Sequence, residues 1–81
     1  MIWIAIQSAF GFECIIHDSL HSMCEKAGIS EDEVCGKYVD GMKCEVWNGE
    51  KRWVVERVSF DRLQIVINEH LDMRRKIKFI S

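Results

Sequence analysis

The chain has 81 residues, of which 48% are hydrophobic and 30% are charged, and it contains no proline. This length allows one domain with one modest core, and the apolar content excludes an intrinsically disordered chain. Eleven Lys and Arg residues face thirteen Asp and Glu residues, so the net charge of −2 lacks the basic balance typical of nucleic-acid-binding proteins. We therefore predict a single domain over residues 1–81.

The N-terminal segment predicts a β-hairpin. Apolar side chains alternate at Ile2, Ile4 and Ile6, the pattern breaks over residues 8–11, and it resumes over residues 12–16. Both faces of these strands carry apolar side chains, so we expect the sheet to be covered on both sides, with an apolar surface presented to a partner as the alternative.

The same segment argues against export or a membrane anchor. It has no basic residue before Lys26 and no evident cleavage site, and Gln7 and Glu13 interrupt it far short of a membrane span. We predict a soluble, cytoplasmic protein. The four cysteines, separated by nine, ten and eight residues, fit neither a zinc ribbon nor a CxxC redox pair. Reduced, mostly buried thiols are favoured, with a disulfide as the alternative.

A first helix is predicted after Asp18 or Ser19, either of which can cap its first turn. Gly28 ends this helix at a position suited to a left-handed cap. Between them an apolar stripe recurs at helical spacing, formed by Leu20, Met23, Cys24 and Ala27.

A second, short helix follows, with Ser30 and Glu33 placed to form a capping box. Glu31, Asp32 and Glu33 also suit the positive end of a helix dipole. Gly36 disfavours a long continuation, because glycine costs about 1 kcal/mol relative to alanine inside a helix.

A second hairpin is predicted around Asn48-Gly49, a pair typical of type I′ turns. A turn centred there places Glu45 opposite Arg52 and Cys44 opposite Trp53. The resulting apolar face contains Met42, Cys44, Val46, Trp53 and Val55. Trp47 falls on the polar face, where an exposed tryptophan would make an interface anchor.

The C-terminal segment predicts a helix from about Phe60 to Met73, with Ser59 as its cap, and then a short strand over residues 76–80. The predicted inward side chains of this helix are Phe60, Leu63, Ile67 and Leu71. The fold class is therefore α+β: an N-terminal β-hairpin, a helix-turn-helix-like pair, a second β-hairpin, a C-terminal helix and a short strand.

Residues 19–38 resemble the helix-turn-helix of DNA-binding regulators. Gly28 lies at the turn, small Cys24 lies four residues before it, Ala27 and Ile29 flank it, and Val34 lies six residues after it. The resemblance implies two crossed helices. If it extends to function, the second helix would enter the major groove of DNA, where Glu31, Asp32 and Glu33 would be repelled by phosphate.

A winged helix-turn-helix protein is the alternative function that this resemblance implies, with the Asn48-Gly49 hairpin as its wing. The candidate nucleic-acid-binding residues are Lys37, Lys51, Arg52, Arg74, Arg75, Lys76 and Lys78. A basic C-terminal end is also typical of an edge that avoids pairing with other chains.

No set of residues predicts catalysis or metal binding. His17, His21, Cys24 and His70 lack a recognised ligand spacing, and Cys24 near His21 lacks a sign of an oriented nucleophile and base. We therefore predict that the chain is not an enzyme and binds no cofactor or metal.

The whole chain is similar to small accessory proteins of phages and mobile elements, with a strand pair leading into SLHSMCEKAGIS and then an NG hairpin. The resemblance implies a non-enzymatic protein that occupies a partner's surface, for example as an inhibitor of a host defence or nucleic-acid-handling complex. The predicted partner-binding residues are Glu31, Asp32, Glu33 and Trp47, facing a protein with a basic surface. A homodimer is left open.

Overall fold

The computed structural model describes the backbone of residues 1–80 and the side chains of residues 1–71. Within this range a 3₁₀ turn at Phe60–Arg62 leads into the last helix. The strands and helices follow in the order β1 (Ile2–Gln7), β2 (Glu13–His17), α1 (Leu20–Ala27), α2 (Glu31–Lys37), β3 (Cys44–Asn48), β4 (Lys51–Val58) and α3 (Leu63–Ile80). The predicted α+β class is confirmed.

The four strands form one antiparallel sheet in the order β2-β1-β4-β3. Trp3 lies opposite His17 in the β1–β2 pair, and Ile4 lies opposite Glu56 in the β1–β4 pair. Strands β2 and β3 therefore form the two edges of the sheet. Each hairpin joins two strands that are consecutive in sequence. The first and last strands of the chain, β1 and β4, are neighbours in the middle of the sheet.

One face of the sheet, the helix-pair face, is covered by α1 and α2. Trp53 is the largest side chain buried there, and only 2% of it is exposed. The buried residues of this cluster are Ala5, Met23, Cys24, Ala27, Ile29, Val34, Cys44, Val46, Trp53 and Val55. Met42 was predicted to join this face, but it precedes β3 in a turn and is exposed.

The opposite face, the α3 face, carries a smaller cluster in which Ile4, Ile6, Val58 and Val66 are buried. Helix α3 covers part of this face through Val66, while Ile16 and Trp47 on the same face remain exposed. The prediction that Phe60 faces inward is wrong: this residue lies in the 3₁₀ turn and is 76% exposed.

The predicted strand over residues 76–80 is also wrong, because α3 continues to Ile80. Residues 60–80 contain neither glycine nor proline, and their Arg and Lys residues are good helix formers, so nothing local stops the helix. Ser59 precedes the 3₁₀ turn but makes no side-chain capping hydrogen bond.

The second hairpin forms in a different register from the predicted one. Cys44 lies opposite Val55 and Asn48 lies opposite Lys51, so the loop is Gly49–Glu50. Gly49 has a φ of 60°, whereas Glu50, like every other non-glycine residue in 1–80, has no positive φ. A positive φ at the first loop position alone is the pattern of a type II′ turn, whereas type I′ requires it at both. The predicted apolar face survives because the pairing shift keeps every side chain on its own face.

Candidate interaction surface

The two short helices are fixed by their caps. The Ser19 hydroxyl accepts from the Ser22 amide at 3.3 Å, and the Ser30 hydroxyl accepts from the Glu33 amide at 3.2 Å. Gly28 ends α1 in the left-handed conformation, with a φ of 71°. These are the predicted caps, except that the Glu33 carboxylate turns toward Lys37 and does not complete the capping box.

The turn between the helices is held against the end of β3. The Asn48 side-chain amide donates to the Ala27 carbonyl at 3.3 Å. A Cβ atom at Gly28 would lie 2.7 Å from the same Asn48 nitrogen, so only glycine fits both the backbone conformation and the space. The position of α1 and α2 is therefore tied to the sheet at this contact.

Glu31 joins the two helices on their outer side. Its Oε2 atom lies 2.8 Å from His21 Nδ1, and the other ring nitrogen of His21 lies 3.4 Å from a carboxylate oxygen of Glu25. The hydrogen bond that His21 donates to Glu31, then the negative charges of Glu31 and Glu25, raise the pKa of His21 above its ordinary value. Glu25 was missed by sequence reasoning, although its i,i+4 spacing from His21 was a usable signal.

Glu33 and Asp32 complete a surface that we call the acidic face, defined as Glu25, Glu31, Asp32 and Glu33. Glu33 lies 3.5 Å from Lys37, one helical turn away. Asp32 is exposed and makes no ion pair within the described side chains. Residues 20–37 contain these four carboxylates and only two lysines, Lys26 and Lys37, so the helix pair carries a net negative charge.

The β3 edge connects this acidic face to the other side of the sheet. Lys37 Nζ donates to the backbone carbonyl of Glu45 at 3.3 Å, and the Glu45 carboxylate accepts from Arg52 at 3.0 Å. Trp47 lies opposite Arg52 and is 57% exposed, as predicted.

The structure therefore does not bring the four predicted partner-binding residues onto one face. Side chains alternate along β3, so Trp47 projects on the α3 face whereas α2 covers the helix-pair face. Glu31, Asp32 and Glu33 share the acidic face, and Trp47 lies around the β3 edge from them.

The basic residues of the alternative prediction are paired wherever their side chains are described. Lys37 pairs with Glu33, Arg52 pairs with Glu45, and Lys51 lies 2.7 Å from Glu13. The Lys51 hydrogen bond is the main reason that the pKa of Glu13 is lowered. Arg74, Arg75, Lys76 and Lys78 belong to α3, and their side chains lie outside the described part of the chain.

The Cys24 thiol is buried in the cluster on the helix-pair face. Burial is the largest cause that raises the pKa of the Cys24 thiol, to about 11, so this thiol is protonated at neutral pH. All four cysteines are free, with Cys24 and Cys44 buried and Cys35 exposed. No group of three or more His, Cys, Asp or Glu side chains among the described residues is placed to hold a metal ion.

A shallow cleft of about 230 Å³ lies beside the acidic face, lined by His21, Cys24, Glu25, Ile29 and Glu31.

No helix among the described residues is long and apolar enough to cross a membrane. Comparisons of the chain with protein families, curated proteins and solved structures found no match.

Proposed function

We propose that the chain is a non-enzymatic protein-interaction module that docks its acidic face on a basic surface of a protein partner. By occupying that surface it inhibits the partner, which we place in the class of host defence or nucleic-acid-handling complexes. The observation that carries the proposal is the unequal charge of the helix pair, where four carboxylates face two lysines.

The acidic face suits a docking role because its backbone is fixed in advance. Both helices are capped, and the Gly28 turn is held by Asn48, so little backbone order has to be gained on binding. Complementary charge raises the rate of association with a basic partner and selects against acidic ones. Trp47, exposed around the β3 edge, supplies an apolar anchor of the kind enriched at interfaces.

The winged helix-turn-helix alternative has less support. Its second helix would bring Glu31, Asp32 and Glu33 toward DNA phosphates. Lys37, Lys51 and Arg52 would each have to leave a carboxylate partner before contacting a phosphate. The first feature opposes binding to a nucleic acid and favours binding to a basic protein surface, and the ion pairs of Lys51 and Arg52 further weaken binding to a nucleic acid.

The test neutralises three of the four carboxylates of the acidic face with side chains of nearly the same shape. We expect the triple variant E31Q/D32N/E33Q to lose proteins that the wild-type chain retains from a nuclease-treated bacterial lysate. The matched control E50Q/D61N/E69Q removes three exposed carboxylates elsewhere and should retain them. Mass spectrometry identifies the retained proteins, and circular dichroism confirms that both variants are folded.

Equal retention by both triple variants would remove the acidic face from the mechanism. A second measurement addresses the alternative directly, by fluorescence anisotropy of a labelled DNA duplex at physiological ionic strength. We expect no binding, whereas salt-dependent binding that improves in E31Q/D32N/E33Q would favour the DNA-binding class.

A further inference from the structure

The outer edge of β2 differs from that of β3, where Lys37 bonds the outward Glu45 carbonyl: no side chain among the described residues bonds an outward backbone group of β2. Native edge strands are usually protected by charged side chains, above all lysine, by proline, by a bulge or by a covering element. Strand β2 has the sequence ECIIH, without lysine or proline, and its carboxylate Glu13 is paired with Lys51 of β4 at 2.7 Å. Ile16 on this strand is 41% exposed, although isoleucine is usually buried.

The direction of the backbone groups on β2 follows from the sheet register. The Glu45 carbonyl bonds Lys37 at the free edge of β3, so residues 44, 46 and 48 are those that bond β4. Because the bonding side alternates along each strand, the backbone groups of residues 54, 56 and 58 in β4 bond β1. By the same alternation, those of Trp3, Ala5 and Gln7 in β1 bond β2. Cys14 and Ile16 therefore direct their N–H and C=O groups outward from the sheet.

Strand β2 is self-complementary around Ile15. When two copies pair antiparallel with Ile15 opposite Ile15, Cys14 of each copy lies opposite Ile16 of the other, and their outward backbone groups bond in register. Glu13 of each copy then lies opposite His17 of the other. A register centred on Cys14 or Ile16 loses both of these Glu–His pairs.

Glu13 and His17 each keep one side-chain polar atom without a partner among the described residues. The Oε1 atom of Glu13 accepts from Gln7 and Lys51, which leaves Oε2 without a partner among the described residues. The Nδ1 atom of His17 lies 3.0 Å from the Ser19 amide nitrogen and 2.8 Å from Oδ1 of Asp18, and Nε2 has no partner among the described residues. In the Ile15-centred register, a hydrogen bond from His17 Nε2 of one copy to Glu13 Oε2 of the other would form on each side of the central Ile15 pair.

An apolar cleft adjoins the same edge. It has a volume of about 310 Å³ and is lined by Ile2, Ile16, His17 and Asp18. In the Ile15-centred register, Cys14 of the second copy arrives opposite Ile16 at this cleft and covers apolar surface that a single copy exposes.

From the open edge, its self-complementary sequence and the adjoining cleft, we infer that the occupant of the β2 edge is a second copy of this chain. The dimer has a continuous sheet in which β2 pairs with β2 about a two-fold axis at Ile15. Both helix pairs lie on the same face of that sheet, so the dimer presents two acidic faces on one side, related by the two-fold axis. The inference does not depend on the proposed function.

Sedimentation equilibrium of the full chain tests the dimer. We expect twice the monomer mass of 9.5 kDa at micromolar to millimolar concentrations. Ile16→Lys, which places a charge at the edge, should give the monomer mass, whereas Trp47→Lys on the β3 edge should leave the dimer intact. A monomeric wild-type chain, or dissociation by Trp47→Lys alone, would overturn the inference. Near-ultraviolet circular dichroism of buried Trp53 checks that each variant is folded.

Cross-linking tests the register without relying on a disruptive variant. Residues in a non-hydrogen-bonded antiparallel pair have Cα atoms about 4.5 Å apart, within the range of a disulfide. In a C14A/C35S background, Ile15→Cys should therefore give a disulfide-linked dimer under mild oxidation, seen on a non-reducing gel. Trp47→Cys in the same background is the matched edge control. Equal cross-linking of the two variants, or none for Ile15→Cys, would overturn the register.

Discussion

The two edges of the sheet have opposite chemistry. At β3, Lys37 bonds the outward Glu45 carbonyl and a chain of ion pairs continues to Arg52. At β2, two isoleucines and a cysteine occupy a strand whose outer side has no such protection among the described residues. In the proposed dimer, this small domain keeps one edge for its own copy and leaves the other free for solvent or a foreign partner.

The difference also separates two kinds of interaction. The acidic face and the β3 edge depend on charge, which favours fast and salt-sensitive association with a basic partner. The β2 edge depends on backbone hydrogen bonds and apolar burial, which resist salt. A dimer formed through β2 would leave both acidic faces free, so the two interactions can coexist.

The largest expected effect comes from the core that supports both edges. Trp53→Ala removes the largest buried side chain on the helix-pair face and should lower the free energy of unfolding by about 3–5 kcal/mol. Urea unfolding followed by far-ultraviolet circular dichroism measures it. Trp53→Phe should cost clearly less, because it keeps most of the volume and removes an indole N–H that has no partner among the described residues. Equal losses for the two variants would contradict this account of the core.

A smaller effect is expected where the helix turn meets β3. Gly28→Ala should destabilise by about 1–3 kcal/mol, because it strains a positive φ and crowds Asn48. Gly36→Ala is the matched control, since it lies in α2 with open space around it and should stabilise by about 0.5–1 kcal/mol. Thermal unfolding gives both values, and the same sign for the two variants would refute the turn contact.

A still smaller effect on stability is expected at the protected edge. Lys37→Met should change the free energy of unfolding by less than about 1 kcal/mol, because the ion pair is exposed. It should nevertheless promote association through β3, since the Glu45 carbonyl loses its partner. Sedimentation velocity should detect species larger than those of wild type, and Lys26→Met, which removes the same charge from α1, should not produce them.

The smallest effect is a pair of opposite histidine titrations. Glu31 and Glu25 raise the pKa of His21, whereas burial, followed by the charge of Lys43, lowers the pKa of His70. The raised pKa means that protonated His21 adds stability that is complete below the ordinary imidazole pKa and is lost as pH rises through the raised one. For His70, the neutral ring adds stability that is complete above the ordinary imidazole pKa and is lost as pH falls from there through the lowered pKa. Proton NMR should show both shifts, and Glu31→Gln should return His21 toward its ordinary pKa while Asp32→Asn should not.

Local chemistry predicted most of the fold. The caps at Ser19 and Ser30, the left-handed Gly28 and the alternating strands are set by neighbours in sequence, so their positions are confirmed. The register of the second hairpin was not predictable from its faces, because both registers place the same side chains inward. The contact of Asn48 with Ala27, which spans 21 residues, accounts for the role of that asparagine outside the turn.

The candidate site was predictable only in part. The acidic cluster and exposed Trp47 are evident from helix and hairpin patterns, but their placement around the β3 edge depends on how α2 crosses the sheet. Lys51 and Glu13 lie 38 residues apart in sequence, so no local sequence pattern predicts their ion pair. The end of α3 was mispredicted because alternating residues 76–80 fit a strand, while the absence of glycine and proline allows the helix to continue.

Amide hydrogen exchange at the two edges tests the central contrast most directly. Cys14 and Ile16 on β2, and Glu45 and Trp47 on β3, all direct their N–H groups away from the sheet. We expect slow exchange at Cys14 and Ile16, where the second copy accepts these hydrogen bonds, and fast exchange at Trp47. Uniformly fast exchange at the four amides under conditions of high chain concentration would contradict the proposed difference between the edges.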